Sequence, residues 1–334
     1  MGPEMHTVEE VRLKVAQGQK LLLAGDESLL RRVPAGNWVG GTIPYFMTRN
    51  GGVTTKELIY VTELPDYIQE IEIKRYDSET IQQVYKDAPD NGFSFIIIPA
   101  KSPTHFSFAL NVPNFEGFAM RPLIGWISGV HLDDIESEKP KVFNGISAEA
   151  IEDDAIVMHA QLPANKIADI GILNMFEQGD GDRITFPESG FSTKEAFING
   201  AKLNFGEYLR QNRLDKRLPL VADYFGAMLN TTFQEEIGPD GEVQFYNAVF
   251  SFLEYKHAKP IENYPDHFTR KIKNGHGVQA IFSCNCFLNY IYSKLEGRQL
   301  DCIPGPTTFG EIAYQALNQT MVYLRVIDLH NHHF

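Results

Sequence analysis

Cysteine is scarce in this chain of 334 residues: only Cys284, Cys286 and Cys302 occur, all in one region. A disulfide scaffold uses more, so the expected setting is the reducing cytoplasm. Long apolar runs are missing too. Phe93 to Pro99 and Leu21 to Ala24 fall far short of the roughly 20 residues that cross a bilayer. Met1 to Gln19 carries Glu4, Glu9 and Glu10 and has no hydrophobic signal segment. Basic surface is thin: the formal net charge is −13, and Lys and Arg are scattered. Nucleic acid and anionic membranes are therefore not the expected partners. No phosphate-cradling G-x-x-x-x-G-K-(S/T) loop, no H-E-x-x-H helix and no G-x-S-x-G nucleophile elbow is present. What remains is ordinary globular usage, 43% apolar and 22% charged, enough for two domains or one large core in two halves.

Along the chain, helical and strand patterns alternate. Val8 to Gln17 has helical spacing, and Lys20 to Ala24 reads as a strand. Gly36 to Phe46 is rich in glycine and aromatics; Trp38, Tyr45 and Phe46 would wall a ligand or, as aromatics usually do, pack in a core or interface. Asn50-Gly51-Gly52 signals a hairpin, with Leu58 to Glu63 returning. A helix capped by Asp77-Ser78 is expected to run to Lys86. Phe93 to Pro99 has the character of a strand covered on both faces, and Ser102-Pro103 opens a helix over Thr104 to Leu110. Pro122 to Gly129 is the next strand.

A second segment near the carboxyl end repeats this order. Asp266 to Lys273 is helical, Gly275-His276-Gly277 breaks it, Val278 to Cys284 is a buried strand, and a helix covers Phe287 to Leu295. Thr307 to Ile312 closes the segment, and Thr320 to Val326 is the last strand. The same distance separates Pro99 from Gly125 and Cys284 from Gly310, which suggests an internal duplication. Between the segments lie further strands (Lys141 to Asn144, Ala155 to Leu162, Ile170 to Phe176), a helix from Phe205 to Asn212, and strands Pro219 to Gly226 and Gln244 to Phe252 around a Gly238-Pro-Asp-Gly241 turn. The fold expected is α/β: two pseudo-repeated sheet-and-helix halves with mixed sheets, and antiparallel hairpins in the middle. Residues 1–76 form an amino-terminal segment packed on that core, 77–165 and 166–328 the halves, and 329–334 a tail.

The carboxyl-terminal motifs carry a resemblance. Phe282-Ser283-Cys284, then Gly305-Pro-Thr-Thr-Phe309-Gly310-Glu311-Ile312, then Asn318-Gln319-Thr320 stand in the order of the "FSC", "GE-I" and "N-x-T" signatures of the FIST family. Pro122-Leu-Ile-Gly-Trp-Ile-Ser-Gly129 is similar to that family's amino-terminal "IG" turn. The resemblance covers residues 91 to 326 and is strongest after Phe282. Two departures stand out: Cys284-Asn-Cys-Phe287 lacks the family's following arginine, and residues 1–76 match nothing in it. FIST domains are small-ligand sensory modules, mostly bacterial, with amino acids proposed as ligands and haem bound by some related gas sensors. The resemblance thus implies a binding protein for an amino-acid-like or other polar metabolite, signalling through a separate partner or a homo-oligomer.

The ligand-binding residues expected are Cys284, Asn285, Thr308, Gly310, Glu311 and Asn318 from the second segment, with Gly125, Trp126, Ser128 and His105 from the first. Gly125 and Gly310 would offer backbone amides to an anionic group, while Glu311 and Asn318 would fix a polar one. Glu311 is equally readable as a structural carboxylate near Asn318. Cys284 lines the pocket in this reading. In the competing reading it is the nucleophile of an enzyme, which needs a base in reach. Cys284, Cys286, Cys302 and His276 make a poor zinc set because no second cysteine pair exists. No cofactor is expected, haem through His105 or His131 being the sharper alternative. Asp180-Gly181-Asp182 lacks the other oxygens of a calcium loop and reads as a turn, and the histidines of His330 to Phe334 belong to the tail.

Overall fold

The computed structural model describes residues 5–224, 226–273, 280–298 and 304–329. The described residues form a mixed α/β fold whose strands make five sheets. Three of the sheets are built alike.

The first unit begins with β1 (Met5–His6) and α1 (Val8–Ala16). Thr7 caps α1 reciprocally with Glu10, and Val8, Val11 and Val15 turn inward. Then come β2 (Leu21–Gly25), the short α2 (Glu27–Leu30), β3 (Trp38–Thr42), the hairpin β4 (Tyr45–Thr48) and β5 (Gly51–Thr54), and β6 (Ile59–Glu63). The second unit repeats the order: β7 (Ile71–Tyr76), β8 (Gly92–Pro99), α3 (Pro103–Asn111), β9 (Leu123–Ser128), the hairpin β10 (Val142–Asn144) and β11 (Glu149–Ile151), and β12 (Ala155–Gln161). Ser102 caps α3 and Pro103 opens it, as their chemistry demands.

The third unit starts with β13 (Lys166–Asn174) and is then interrupted by a β-rich module: β14 (Ile184–Thr185), β15 (Gly190–Thr193), β16 (Glu195–Ile198), β17 (Ala201–Asn204), α4 (Phe205–Gln211), β18 (Leu220–Tyr224), β19 (Ala227–Thr231), β20 (Phe233–Ile237), β21 (Val243–Val249) and β22 (Tyr255–His257). It resumes with α5 (Tyr264–Lys273), β23 (Phe282–Cys286), α6 (Phe287–Tyr292), β24 (Gly305–Thr308), the hairpin β25 (Gly310–Ala313) and β26 (Gln315–Leu317), and β27 (Thr320–Asp328).

Strand order makes the likeness plain. The three sheets run β1-β6-β2-β3-β10-β11, β7-β12-β8-β9-β25-β26 and β13-β27-β23-β24-β4-β5. In each, one strand–helix–strand crossover supplies the parallel pair, β2·β3, β8·β9 or β23·β24, and every other neighbour is antiparallel. Each unit also gives its hairpin away. The first unit's β4–β5 joins the third sheet, the second unit's β10–β11 joins the first, and the third unit's β25–β26 joins the second. Residues 5–76 are thus woven through the molecule.

Register aligns the units residue by residue. Gly40 lies opposite Leu23 and Gly125 opposite Ile96; extending the Asn285–Thr307 pair places Gly305 opposite Ser283. A Cβ on these glycines would lie 3.2, 1.7 and 2.1 Å from the carbonyl oxygen of the facing residue. A side chain would be tight at Gly40 and would clash with backbone at the other two. Spacing alone had matched Gly125 with Gly310, whereas pairing matches it with Gly305 and puts Gly310 beside Ile127.

The alternation of side chains then separates two faces. Leu22, Ala24, Phe95, Ile97, Trp126, Phe282, Cys284 and Val322 turn into one shared core. The opposite faces of the first and second sheets are covered by their own helices, with Leu21, Leu23 and Trp38 under α1 and α2, and Ile96, Ile98 and Ile127 on the face that carries α3. Trp38, Tyr45 and Phe46 are core residues: Trp38 donates to Pro34 O, Tyr45 packs on Phe287, and Phe46 stacks on Tyr60.

The helix expected over Asp77 to Lys86 is only a 3-10 turn, Thr80–Gln83. Asp77 caps it through the N–H groups of Glu79 and Thr80, while Ile81, Val84 and Tyr85 are drawn down onto the second sheet. Gly275-His276-Gly277, Val278, Cys302 and the His330 to Phe334 tail lie outside the described residues.

Candidate polar site at the junction of the second and third sheets

β25 belongs to the third unit but lies on the second sheet, where Glu311 pairs with Trp126. Ile312 faces the helix side, so Glu311 points into the shared core and is fully buried. Its Oε2 accepts two hydrogen bonds from Thr320, from the backbone N–H at 3.1 Å and from the hydroxyl at 2.8 Å. Its Oε1 has no hydrogen-bond partner. Burial pushes the carboxyl up to about 8, and the Thr320 bonds only partly oppose this. Burial thus favours the protonated, uncharged carboxyl.

Around it stand the ends of β23 and β24. Cys284 donates its thiol to Gly125 O at 3.5 Å, and Cys286 lies beside the Glu311 carboxyl. Burial, then the nearby carboxyl, raises both thiols well above their ordinary range. Thr308 Oγ1 donates to Gly310 O at 3.1 Å and Asn285 O at 3.4 Å. Trp126 Nε1, Ser128 Oγ and Asn318 Oδ1 are buried without a hydrogen-bond partner, as is Thr307 Oγ1 on the opposite face of the third sheet. So many unanswered polar atoms are costly, each by about 1–3 kcal/mol.

A chain of amides backs this cluster. Asn289 Nδ2 donates to Asn285 Oδ1 at 3.0 Å and to Thr320 O at 3.2 Å, and Tyr264 OH donates to Asn289 Oδ1 at 2.7 Å. Gln319 Nε2 reaches the Tyr264 hydroxyl at 3.2 Å and Arg217 O at 3.0 Å. The inserted module closes the chain from its side. Thr232 Oγ1 donates to Gln319 Oε1 at 2.6 Å, and Asn230 Nδ2 donates to Asn318 O at 3.0 Å.

The residues expected from sequence mostly meet here. Cys284, Glu311, Trp126, Gly125, Thr308, Gly310 and Asn285 share bonds or strand pairing, and Asn318 lies in the turn that leads to Thr320. Ser128 ends β9, paired with Pro99. Gly125 and Gly310 play a different part from the one expected: both sit inside strands, Gly125 with partners on both sides, so the ladder takes up the amides meant for an anion. His105 lies elsewhere, on α3. It is held by the Lys101 N–H on Nδ1, packed against Phe106 and Phe191, and pushed down to about 4 by burial. His131 stacks on Tyr45 and accepts the Asp133 N–H. Among the described residues no three His, Cys, Asp or Glu side chains gather as metal ligands. Asp182 is bonded to Asn199 and Tyr208.

Sequence reasoning passed over Thr320, which gives Glu311 two hydrogen bonds, although it closes the quoted Asn318-Gln319-Thr320 motif. It had no means of finding Asn289, Tyr264, Asn230 and Thr232. It also missed a second polar chain. Ser94 Oγ lies 2.7 Å from His159 Nδ1, Tyr76 OH lies 2.9 Å from His159 Nε2, and that hydroxyl donates to Asp87. This order resembles an activated serine, but Ser94 is buried near the amino end of β8, on the sheet face opposite Glu311. Sites on α/β sheets lie at the carboxyl ends of strands.

Fold and site together define an α/β protein of three interleaved mixed sheets with a closed polar centre and a β-rich insertion. The chain belongs to a family of unknown function, DUF6976, which it matches over residues 6–327. No curated protein matches it in sequence. Among the described residues, no helix is long and apolar enough to cross a membrane.

Proposed function

We propose that this protein is a sensory module that binds a small polar ligand at the Glu311 cluster and does no chemistry on it. One observation carries the reading. By register, the position of Glu311 is held by Val142 and Phe46 in the other two sheets, both fully buried and apolar. A fold that accepts an aliphatic or aromatic side chain twice has no structural need of a carboxyl with an unanswered oxygen the third time. The FIST-like motifs support the same reading, because Cys284, Glu311 and Thr320, one from each, converge here.

The ligand class follows from the groups on offer. A neutral acid, two thiols and an indole N–H suit a small molecule with an amine, amide or hydroxyl, in keeping with an amino-acid-like metabolite, better than a phosphate. The enzyme reading is disfavoured because a nucleophilic cysteine needs an accessible thiolate, and burial holds Cys284 and Cys286 as thiols. Haem is disfavoured because Nδ1 of both His105 and His131 accepts a backbone N–H, which leaves the ring proton on Nε2, the nitrogen an iron would need. Signalling then runs through a partner or self-association in the cytoplasm.

The test is a thermal-shift screen of small amines, amides and amino acids against wild type and Glu311→Gln, with native mass spectrometry of protein taken directly from cells. A compound that raises the melting temperature of wild type alone supports the reading. Compounds that stabilise both proteins equally would move the site elsewhere. A screen without hits, on protein that carries no co-purified mass, would sink it.

A further inference from the structure

We infer that the inserted β-module is the regulatory element of the Glu311 site, coupled to it through the buried turn Asn318–Gln319–Thr320. The inference rests on the ligand reading above and names what that site answers to.

The turn has two grips. On one side Thr320 gives its N–H and hydroxyl to Glu311 Oε2. On the other, Thr232 holds the Gln319 side chain, and Asn230 holds the Asn318 carbonyl while exchanging amide hydrogen bonds with Asn174 at 2.9 and 3.0 Å. Asn230 and Thr232 flank Thr231, the last residue of β19, so one stretch of module backbone reaches two successive residues of the turn. A third tie runs from Asn247 of β21 to Ala316 O on β26. Gln319 is fully buried and held at φ +50°, a left-handed conformation that a glutamine keeps only when its surroundings dictate it.

A turn pinned this tightly cannot shift at one grip and stay fixed at the other. Ionising Glu311, or drawing it toward a ligand, pulls on Thr320; displacing β19 pulls on Gln319. Linkage makes the effect reciprocal: whatever the module does to the carboxyl, the carboxyl does to the module. The module is also well placed to carry the state outward, since Phe252, which packs on Phe250 and Tyr224, stands exposed on it.

The groups facing Glu311 are Thr320 from β27, Cys286 and Cys284 from β23, Trp126 from β9 and Tyr264 from α5, whose hydroxyl is likewise pushed up by burial. None of these titrates near neutrality ahead of the carboxyl, so the ionisation of Glu311 can be followed directly.

The experiment follows the carboxyl of Glu311 by infrared difference spectroscopy and by carbon NMR of glutamate-labelled protein across pH about 6 to about 10. The Glu311→Gln variant assigns the signal. Thr232→Val removes the hydroxyl that holds Gln319, and Asn230→Ser loosens Asn318. Thr231→Val is the control, because that hydroxyl donates to Ala248 O inside the module and leaves the turn alone. Thr232→Val and Asn230→Ser are expected to raise the carboxyl midpoint by about half a pH unit or more, since a looser Thr320 holds the carboxylate less well. Thr231→Val leaves the midpoint where it is. The reverse direction is read by hydrogen exchange, with wild type and Glu311→Gln differing in β19 to β21 at alkaline pH. Unchanged midpoints in both turn variants, or an equal shift in Thr231→Val, overturn the coupling. Ligand binding plays no part in this readout. Shifted midpoints with an empty ligand screen would keep the coupling and remove the ligand reading; a bound ligand with unchanged midpoints would do the reverse.

Discussion

The second and third units share one topology and differ in what they bury. The second fills its helix-covered face with Ile96, Ile98, Phe108 and Ile127 and bonds one buried polar chain there from Ser94 to Asp87, although Thr104 on α3 and Trp126 and Ser128 on β9 each keep a buried polar atom without a partner. The third carries Ser283, Asn285 and Thr307 on that face and sends Glu311, by way of the exchanged hairpin, into the common core. The difference teaches that architecture alone does not ask for polar residues. Where they appear against the pattern of the other units, the shared architecture does not account for them.

The comparison can be broken most severely by moving the carboxyl. Val142→Glu puts an acid at the position equivalent to Glu311 on the first sheet, without a Thr320 to meet it. It should cost at least about 4 kcal/mol in urea unfolding, or leave no folded protein. A cost under about 1 kcal/mol would mean that any of the three positions accepts a carboxyl, and the contrast would fail.

The reverse change sharpens the contrast through pH. The folded-state value of Glu311, about 8, lies above its unfolded value of 4.5. Its contribution is therefore fully present below pH 4.5 and is lost as pH rises through 8. Glu311→Gln has no such loss. Near parity at pH about 5, it should gain on wild type by on the order of 5 kcal/mol above pH about 9. A difference that stays flat with pH would refute the buried neutral acid.

The second unit should show the opposite weakness. His105 and His159 are both pushed down to about 4 by burial. Each adds stability above the unfolded value of 6.5 that is lost as pH falls toward 4. The expected loss is about 3 kcal/mol for each, seen as a falling urea midpoint together with proton NMR titrations far below normal. Ordinary histidine titrations would remove this acid limb.

Smaller effects test the grip itself. Thr320→Val removes one of two bonds to Glu311 and should cost about 1–2 kcal/mol near neutral pH while pushing the carboxyl further up. Iodoacetamide should leave Cys284 and Cys286 unlabelled in the native protein and label both in urea, read by peptide mass. Fast native labelling of Cys284 would bring the enzyme reading back.

Local chemistry was legible in the sequence. The unbroken apolar run of β8 and the Ser102-Pro103 entry to α3 each have a short-range cause, and each stands in the fold; a hairpin does form at Asn50, but it returns as β5 (Gly51–Thr54), while the expected return, Leu58 to Glu63, is β6 on the first sheet. Cys284 and Glu311, singled out from their motifs, do lie near one another in the shared core. The threefold plan was not legible, because the hairpin exchange joins residues far apart and leaves no local trace; β4 pairs with β24 across most of the chain. Equal spacing misled for a related reason. The loops between the paired strands differ in length, so a count along the chain lands on Gly310 where register lands on Gly305.

The exchanged hairpins also bear on how the chain folds. Of the three like sheets, only the first has all its strands once residue 151 has been made. The second waits for β25 and β26, and β4 and β5 have no sheet to join until β24 is made. The second and third sheets must therefore assemble late, slowly and through long-range pairings, with β8, β9 and β12 exposed to aggregation in the meantime. Trimming the carboxyl terminus back past Gly305 would leave two of the three sheets unfinished, so such a truncation would not yield a smaller protein but an insoluble one.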